Sequence, residues 1–121
     1  MEAGDTFRFG HGHLQVVISD PSLDREKVVI VNMTTDRGKD PACILIPGDH
    51  PFVKHNTSIR YDKARIAADK EIEWLISTSA ATREEAVCDA VLERIRRGAA
   101  VTAEIPFGCK QVLINQGLIE P

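Results

Sequence analysis

The sequence predicts a mainly β domain with α structure towards its C-terminal end, namely a small antiparallel barrel or curled sheet followed by helix. Three observations carry this. Residues 4–66 hold five short apolar runs at about ten-residue spacing, separated by Gly, Pro and Asp turn residues. Residues 82–98 change to helical spacing. The chain has 121 residues, 43% hydrophobic and 27% charged, enough for one core and too short for two ordinary domains. A single domain over 1–121 is expected, strand-rich over 4–76 and helical over 82–117.

The predicted strands are GDTFRF, LQVVIS, VVIVNMTT, ACILI and SIRYDKARI. In the third, Val28, Ile30, Asn32 and Thr34 share one face, and Val29, Val31, Met33 and Thr35 share the other. Each face starts apolar and ends polar, so the strand runs through a core and emerges at an edge or cleft. That places Asn32, Thr34 and Thr35 near an accessible surface, although Thr is also a good strand former in its own right. EIEWLIS alternates weakly and fits a strand or a short helical turn, with the only tryptophan, Trp74, expected as a core anchor. Thr82-Arg-Glu-Glu85 has the form of a capping box, followed by Val87, Val91 and Ile95 at helical spacing. Glu84 and Glu85 would open this helix, Arg94, Arg96 and Arg97 would close it, and Gly98 would cap its end. Pro106 is placed to start a second short helix through Gln116, stopped by Gly117.

The net charge of −3 is unevenly distributed. Residues 1–66 carry nine Lys/Arg and nine Asp/Glu, whereas residues 67–121 carry six and nine. No broad basic footprint for nucleic acid exists, so any contact with RNA or DNA has to be local and on the neutral first half. Cysteines 43, 88 and 109 form no CxxC pair, and no basic region leads into an apolar run at the N-terminus. A reduced, cytoplasmic protein is expected. Asp20, Asn32 and Pro47 interrupt the longest apolar stretches, so no membrane association is expected either.

Polar chemistry gathers in two turns of the strand-rich half. His11 and His13 lie in Gly-His-Gly-His between the first two strands, and His50 and His55 bracket Pro51-Phe52 in CILIPGDHPFVKH. Histidine exchanges protons near neutral pH and also ligates metals. A metal reading joins His11, His13, Asp49, His50, His55 and Cys43, a donor set suited to zinc. No HExxH or paired CxxC signature supports it, and no resident metal or other cofactor is predicted. Asp49 after Pro-Gly is also an ordinary turn residue, and Cys43 in an apolar strand fits a buried, inert thiol. Gly-rich phosphate loops, GxSxG elbows and dinucleotide fingerprints are absent.

GDTFRF, the loop into LQVVISDP, VVIVNMTT and SIRYDKARI together resemble the PemK/MazF group of toxins from type II toxin–antitoxin systems. The resemblance covers residues 4–66 and, more loosely, the helix at 82–98. It implies an SH3-like or CcdB-like barrel with a C-terminal helix, a homodimer, a cognate antitoxin as partner, and metal-independent cleavage of single-stranded RNA at short sequences. The family's third-strand Thr falls on Thr34, with Thr35 one residue on. The family's catalytic Arg at the start of the second strand has no counterpart, because Gly12, His13 and Leu14 stand there. Cleavage through the 2′-hydroxyl needs a base, an acid and donors around the charged phosphorane. His13 with His50 or His55 can supply the first two. Thr34 is grouped with them, and His11, Thr35, Asp49, Lys54, Ser58 and Arg60 are candidate substrate contacts. Two other readings follow from the same residues: a catalytically silent PemK-like module that binds protein or nucleic acid, and a metal-dependent hydrolase using the His/Asp/Cys set.

Overall fold

In the computed structural model, which describes all 121 residues, the first Gly-bounded run forms β1 (Thr6–Arg8) and turns back into β2 (Gln15–Val17). Gly10 supplies a positive φ of 55° in that turn, which Gly adopts without steric cost, and the Gly12 amide closes it onto the Phe9 carbonyl at 2.8 Å. The Val/Ile-rich run forms β3 (Val28–Thr35), followed by the two-residue β4 (Ile44–Leu45) and the long β5 (Thr57–Ala67). All five predicted strands are present. The chain continues through α1 (Asp69–Ser77), β6 (Thr82–Glu84), α2 (Asp89–Val101) and α3 (Phe107–Asn115).

The strands make one six-stranded antiparallel sheet in the order β4-β5-β3-β2-β1-β6. The sheet is open: β4 and β6 are its edges and no ladder joins them, so the fold is mixed α and β around an open sheet. One reason is visible at the β4 edge, where Arg94 Nη2 of α2 donates to the Ile44 carbonyl at 3.0 Å and occupies an edge acceptor. β5 bends sharply. Its partner on β3 advances from Ile30 to Asn32 while β5 goes from Arg65 to Arg60, an irregularity that changes the strand's direction.

Both sheet faces are covered near the middle of β3, which is why Val28–Val31 are all buried. On one face, Ile72 of α1 joins Phe7, Val17, Val28, Ile30 and Ala81. On the other, Val91, Leu92, Ile95 and Ala99 of α2 and Cys109, Val112 and Leu113 of α3 pack on Val16, Val29, Val31, Ile59 and Tyr61.

Three sequence expectations need correction. EIEWLIS takes the helical of its two readings, but Trp74 on it is 64% exposed rather than a core anchor. Ile72, Leu75 and Ile76 lie on the sheet-facing stripe at i, i+3 and i+4, so Trp74 falls on the opposite side. Thr82–Glu84 is an edge strand and not a capping box: it pairs with β1, and the Glu85 carbonyl accepts from Thr6 Oγ1 at 2.7 Å and from His50 Nε2. A helix starting there would need that carbonyl for its first turn. α2 therefore begins at Asp89, and it runs through Gly98 to Val101. Gly98 is a contact glycine, because a Cβ there would collide with the Tyr61 hydroxyl, the Ala42 carbonyl and Cys43. The expectation for the last helix holds. Pro106 precedes α3, and Gly117, at φ 71°, ends it with amide bonds from Gly117 to Ile114 and from Leu118 to Leu113.

Candidate functional site

The end of the sheet where β3 stops is built from three adjacent strands. Gln15 pairs with Asn32, and the Met33 amide donates to the Leu14 carbonyl at 3.0 Å. Continuing that register by one residue sets His13 opposite Thr34, and Thr34 in turn pairs with Ser58 of β5. The row behind it is Gln15, Asn32 and Arg60. By strand alternation these residues share the face that α1 covers farther along. β2 itself begins at Gln15, so His13 lies just outside the ladder and faces Thr34 only by extension of the register.

One row on, Thr35 pairs with Thr57, and Thr35 Oγ1 lies 2.9 Å from His55 Nε2. The loop carrying His55 is tied down by Thr57 Oγ1 donating to the His55 carbonyl at 2.9 Å and by the Asp36 amide donating to Asn56 at 3.0 Å. His55 is exposed, so its ring is both held and open to solvent. His11 and His13 are exposed on the β1–β2 turn with no ring hydrogen bond.

His50 is separated from this group. It is 4% exposed, its Nδ1 accepts from the Phe52 amide at 3.1 Å, and its Nε2 donates to the Glu85 carbonyl. Its ring stacks at 5.8 Å on Phe52, over which the Arg8 guanidinium sits at 5.0 Å. Both nitrogens are committed to holding the 46–54 loop against β6. Asp49 is likewise engaged: Oδ2 accepts from the Ile46 amide at 2.8 Å and Oδ1 from Arg94 at 3.0 Å, and the arginine holds its carboxyl below the ordinary carboxylate range. Lys54 is exposed and lines a cleft of about 680 Å³ between that loop and residues 85–88. Arg60 makes a bidentate pair with Asp62 at 2.8 and 2.6 Å, which raises the guanidinium's pKa and lowers the carboxyl's.

The six residues of the metal reading are distributed rather than assembled. No three His, Cys, Asp or Glu side chains converge on a common point. Cys43 is buried beside Tyr61, and burial raises its thiol above the usual value. Gln15 was not singled out from the sequence and belongs to the site by position. Only strand pairing identifies it, because its own run, LQVVIS, reads as core.

No match is found among protein-family models, curated proteins or solved structures. No helix is long and apolar enough to cross a membrane.

Proposed function

We propose that the protein cleaves single-stranded RNA without a metal, as the PemK/MazF toxins it resembles do. The observation that carries this is the exposed Thr35–His55 pair at the end of the β3–β5 ladder; Thr34, opposite which the extended register sets His13, points to the other face, so in this reading the two imidazoles act from either side of the strand end. In this reading one imidazole removes the 2′-hydroxyl proton, the 2′-oxygen attacks phosphorus, the bond to the 5′-oxygen breaks, and the other imidazole protonates that oxygen. Thr34 supplies a hydroxyl donor to the charged phosphorane, whereas Ser58, the other hydroxyl of that row, is buried. Thr35 acts by positioning His55. The same reading takes the chain as a toxin held by an antitoxin and working as a twofold homodimer, with the open sheet edges giving a reason for association.

The test is incubation of a varied RNA pool with the purified protein in EDTA, followed by end analysis. A 2′,3′-cyclic phosphate and a 5′-hydroxyl are expected, and expression should slow cell growth. An intact pool with and without divalent metal, together with normal growth, overturns the proposal. A specific observation favours the silent binding module in that event: Arg60, the guanidinium nearest Thr34 and Ser58 in the ladder, is already neutralised by Asp62.

A further inference from the structure

The sheet face that α1 covers is only half covered. Its apolar cluster ends at Ile30, and beyond it Gln15, Asn32, Thr34 and Arg60 are each partly exposed. At the margin Phe9, two residues beyond Phe7 on the same face, is 38% exposed and meets Phe7 edge-on at 5.8 Å. Within this shelf lies an anomaly. Asn32 Oδ1 is buried without a hydrogen-bond partner, the one such side-chain atom in the protein. Its cross-strand neighbour Arg60 is the natural donor but turns to Asp62 instead. A buried acceptor left without a donor is a departure that calls for a ligand or a function.

We infer that this shelf is a subsite for one unpaired base, which stacks on Phe9 while the Asn32 carboxamide reads its edge; the inference rests on the single-stranded RNA reading above. Exposed aromatics on a sheet are suited to stacking unpaired bases. A carboxamide pairs bidentately with an edge that offers an exocyclic amine beside a ring-nitrogen acceptor. Adenine and cytosine present that edge. Uracil offers the complementary pattern, its ring N–H donating to the carboxamide oxygen and the neighbouring carbonyl accepting from the carboxamide N–H, so the contact is made with any of these bases. The second torsion of Asn is soft, so the carboxamide swings out to a base at small cost.

The test uses fluorescein-labelled 2′-O-methyl decamers of A, C and U, which 2′-oxygen attack cannot cleave, and measures anisotropy with the full chain. All three should bind with similar affinity, and a 2′-O-methyl decamer of abasic units should bind about tenfold more weakly. Asn32→Ala should weaken A, C and U by about tenfold, the usual loss of one bidentate contact, and leave the abasic decamer unchanged. Asn32→Asp, which keeps the shape and removes the amide donor, should weaken the three more than the abasic decamer and covers the case in which the alanine variant fails to fold. Phe9→Ala should weaken all three about equally, by roughly tenfold. No binding, equal affinity for the abasic decamer, or binding of the three that survives both Asn32 variants overturns the subsite. Base-dependent binding that requires Asn32, in a protein that leaves ordinary RNA intact, sustains the subsite and overturns the ribonuclease reading. Cleavage of RNA with no dependence on Asn32 does the reverse.

Discussion

Thr35 Oγ1 and His55 Nε2 lie 2.9 Å apart across the β3–β5 ladder, twenty residues apart in the chain, and both are exposed. The hydroxyl fixes the ring's orientation while the other ring nitrogen stays free. In the proposed ribonuclease this imidazole transfers a proton, and Thr34, one residue back in β3, faces the other side of the sheet.

His55→Ala should lower the rate of RNA cleavage by roughly 10²–10⁴-fold, the usual effect of losing a general acid or base. Thr35→Val should cost less, about fivefold to tenfold, as expected for one positioning hydrogen bond. His13→Ala should match His55→Ala, and His11→Ala should matter little. None of these exposed substitutions should move the melting temperature appreciably.

Asp49 and Arg94 join the Pro-Gly loop to α2. Because the arginine holds the Asp49 carboxyl below its ordinary 3.8, the pair stabilises the fold fully above that value and loses its contribution as pH falls through the lower, folded value. Both side chains are partly solvated, so a double-mutant cycle with Asp49→Asn and Arg94→Met should give a coupling of about 0.5–1 kcal/mol. The coupling should vanish in strong acid, as measured by urea unfolding at several pH values.

Much of this fold is legible in the sequence because strand periodicity is local. VVIVNMTT announces β3, and the Pro106–Gly117 frame announces α3, through residues that act on their own backbone. The capping box at Thr82 misleads because β1 offers that segment a better set of backbone partners from the far end of the chain, pairing Thr6 with Glu84, Phe7 with Arg83 and Arg8 with Thr82. Trp74 misleads because a tryptophan's size says nothing of which helix face it occupies. Within the candidate site, Thr35 and His55 could be named from residue type, but their contact depends on the β3–β5 register that sets Thr35 opposite Thr57. His50 has the same chemistry in sequence and a different environment in the structure.

Gly98 offers a test of the packing beneath α2. Alanine is the better helix residue by about 1 kcal/mol, yet Gly98→Ala should destabilise the protein by about 1–3 kcal/mol, the usual cost of overpacking a core. The Tyr61 hydroxyl, which donates to the Ile95 carbonyl at 2.6 Å, is the first atom in the way. Adding Tyr61→Phe should therefore recover part of the loss in thermal unfolding. Simple addition of the two single effects would show that the clash lies elsewhere.

Cys88 is the one exposed cysteine, whereas Cys43 and Cys109 are buried and burial raises both thiols above the usual 9.0. A thiol reagent should modify one group in the native protein and all three after denaturation. Above pH 9.0 the two buried thiols should stay protonated in the folded state while ionising in the unfolded one, so stability should fall as pH rises from there.

His50 distinguishes a structural histidine from a catalytic one. Its Nδ1 accepts from Phe52, its Nε2 donates to Glu85, and the ring is buried, so truncation leaves the Phe52 amide without its partner and the Glu85 carbonyl with Thr6 Oγ1 alone. His50→Ala should cost about 1–3 kcal/mol of stability, the penalty for a buried polar group stripped of its partner. RNA cleavage measured well below the variant's melting temperature should stay within a few-fold of wild type, in contrast to His55→Ala. A melting temperature unchanged by His50→Ala, together with a rate loss as large as that of His55→Ala, would return His50 to the catalytic group and require the 46–54 loop to open during turnover.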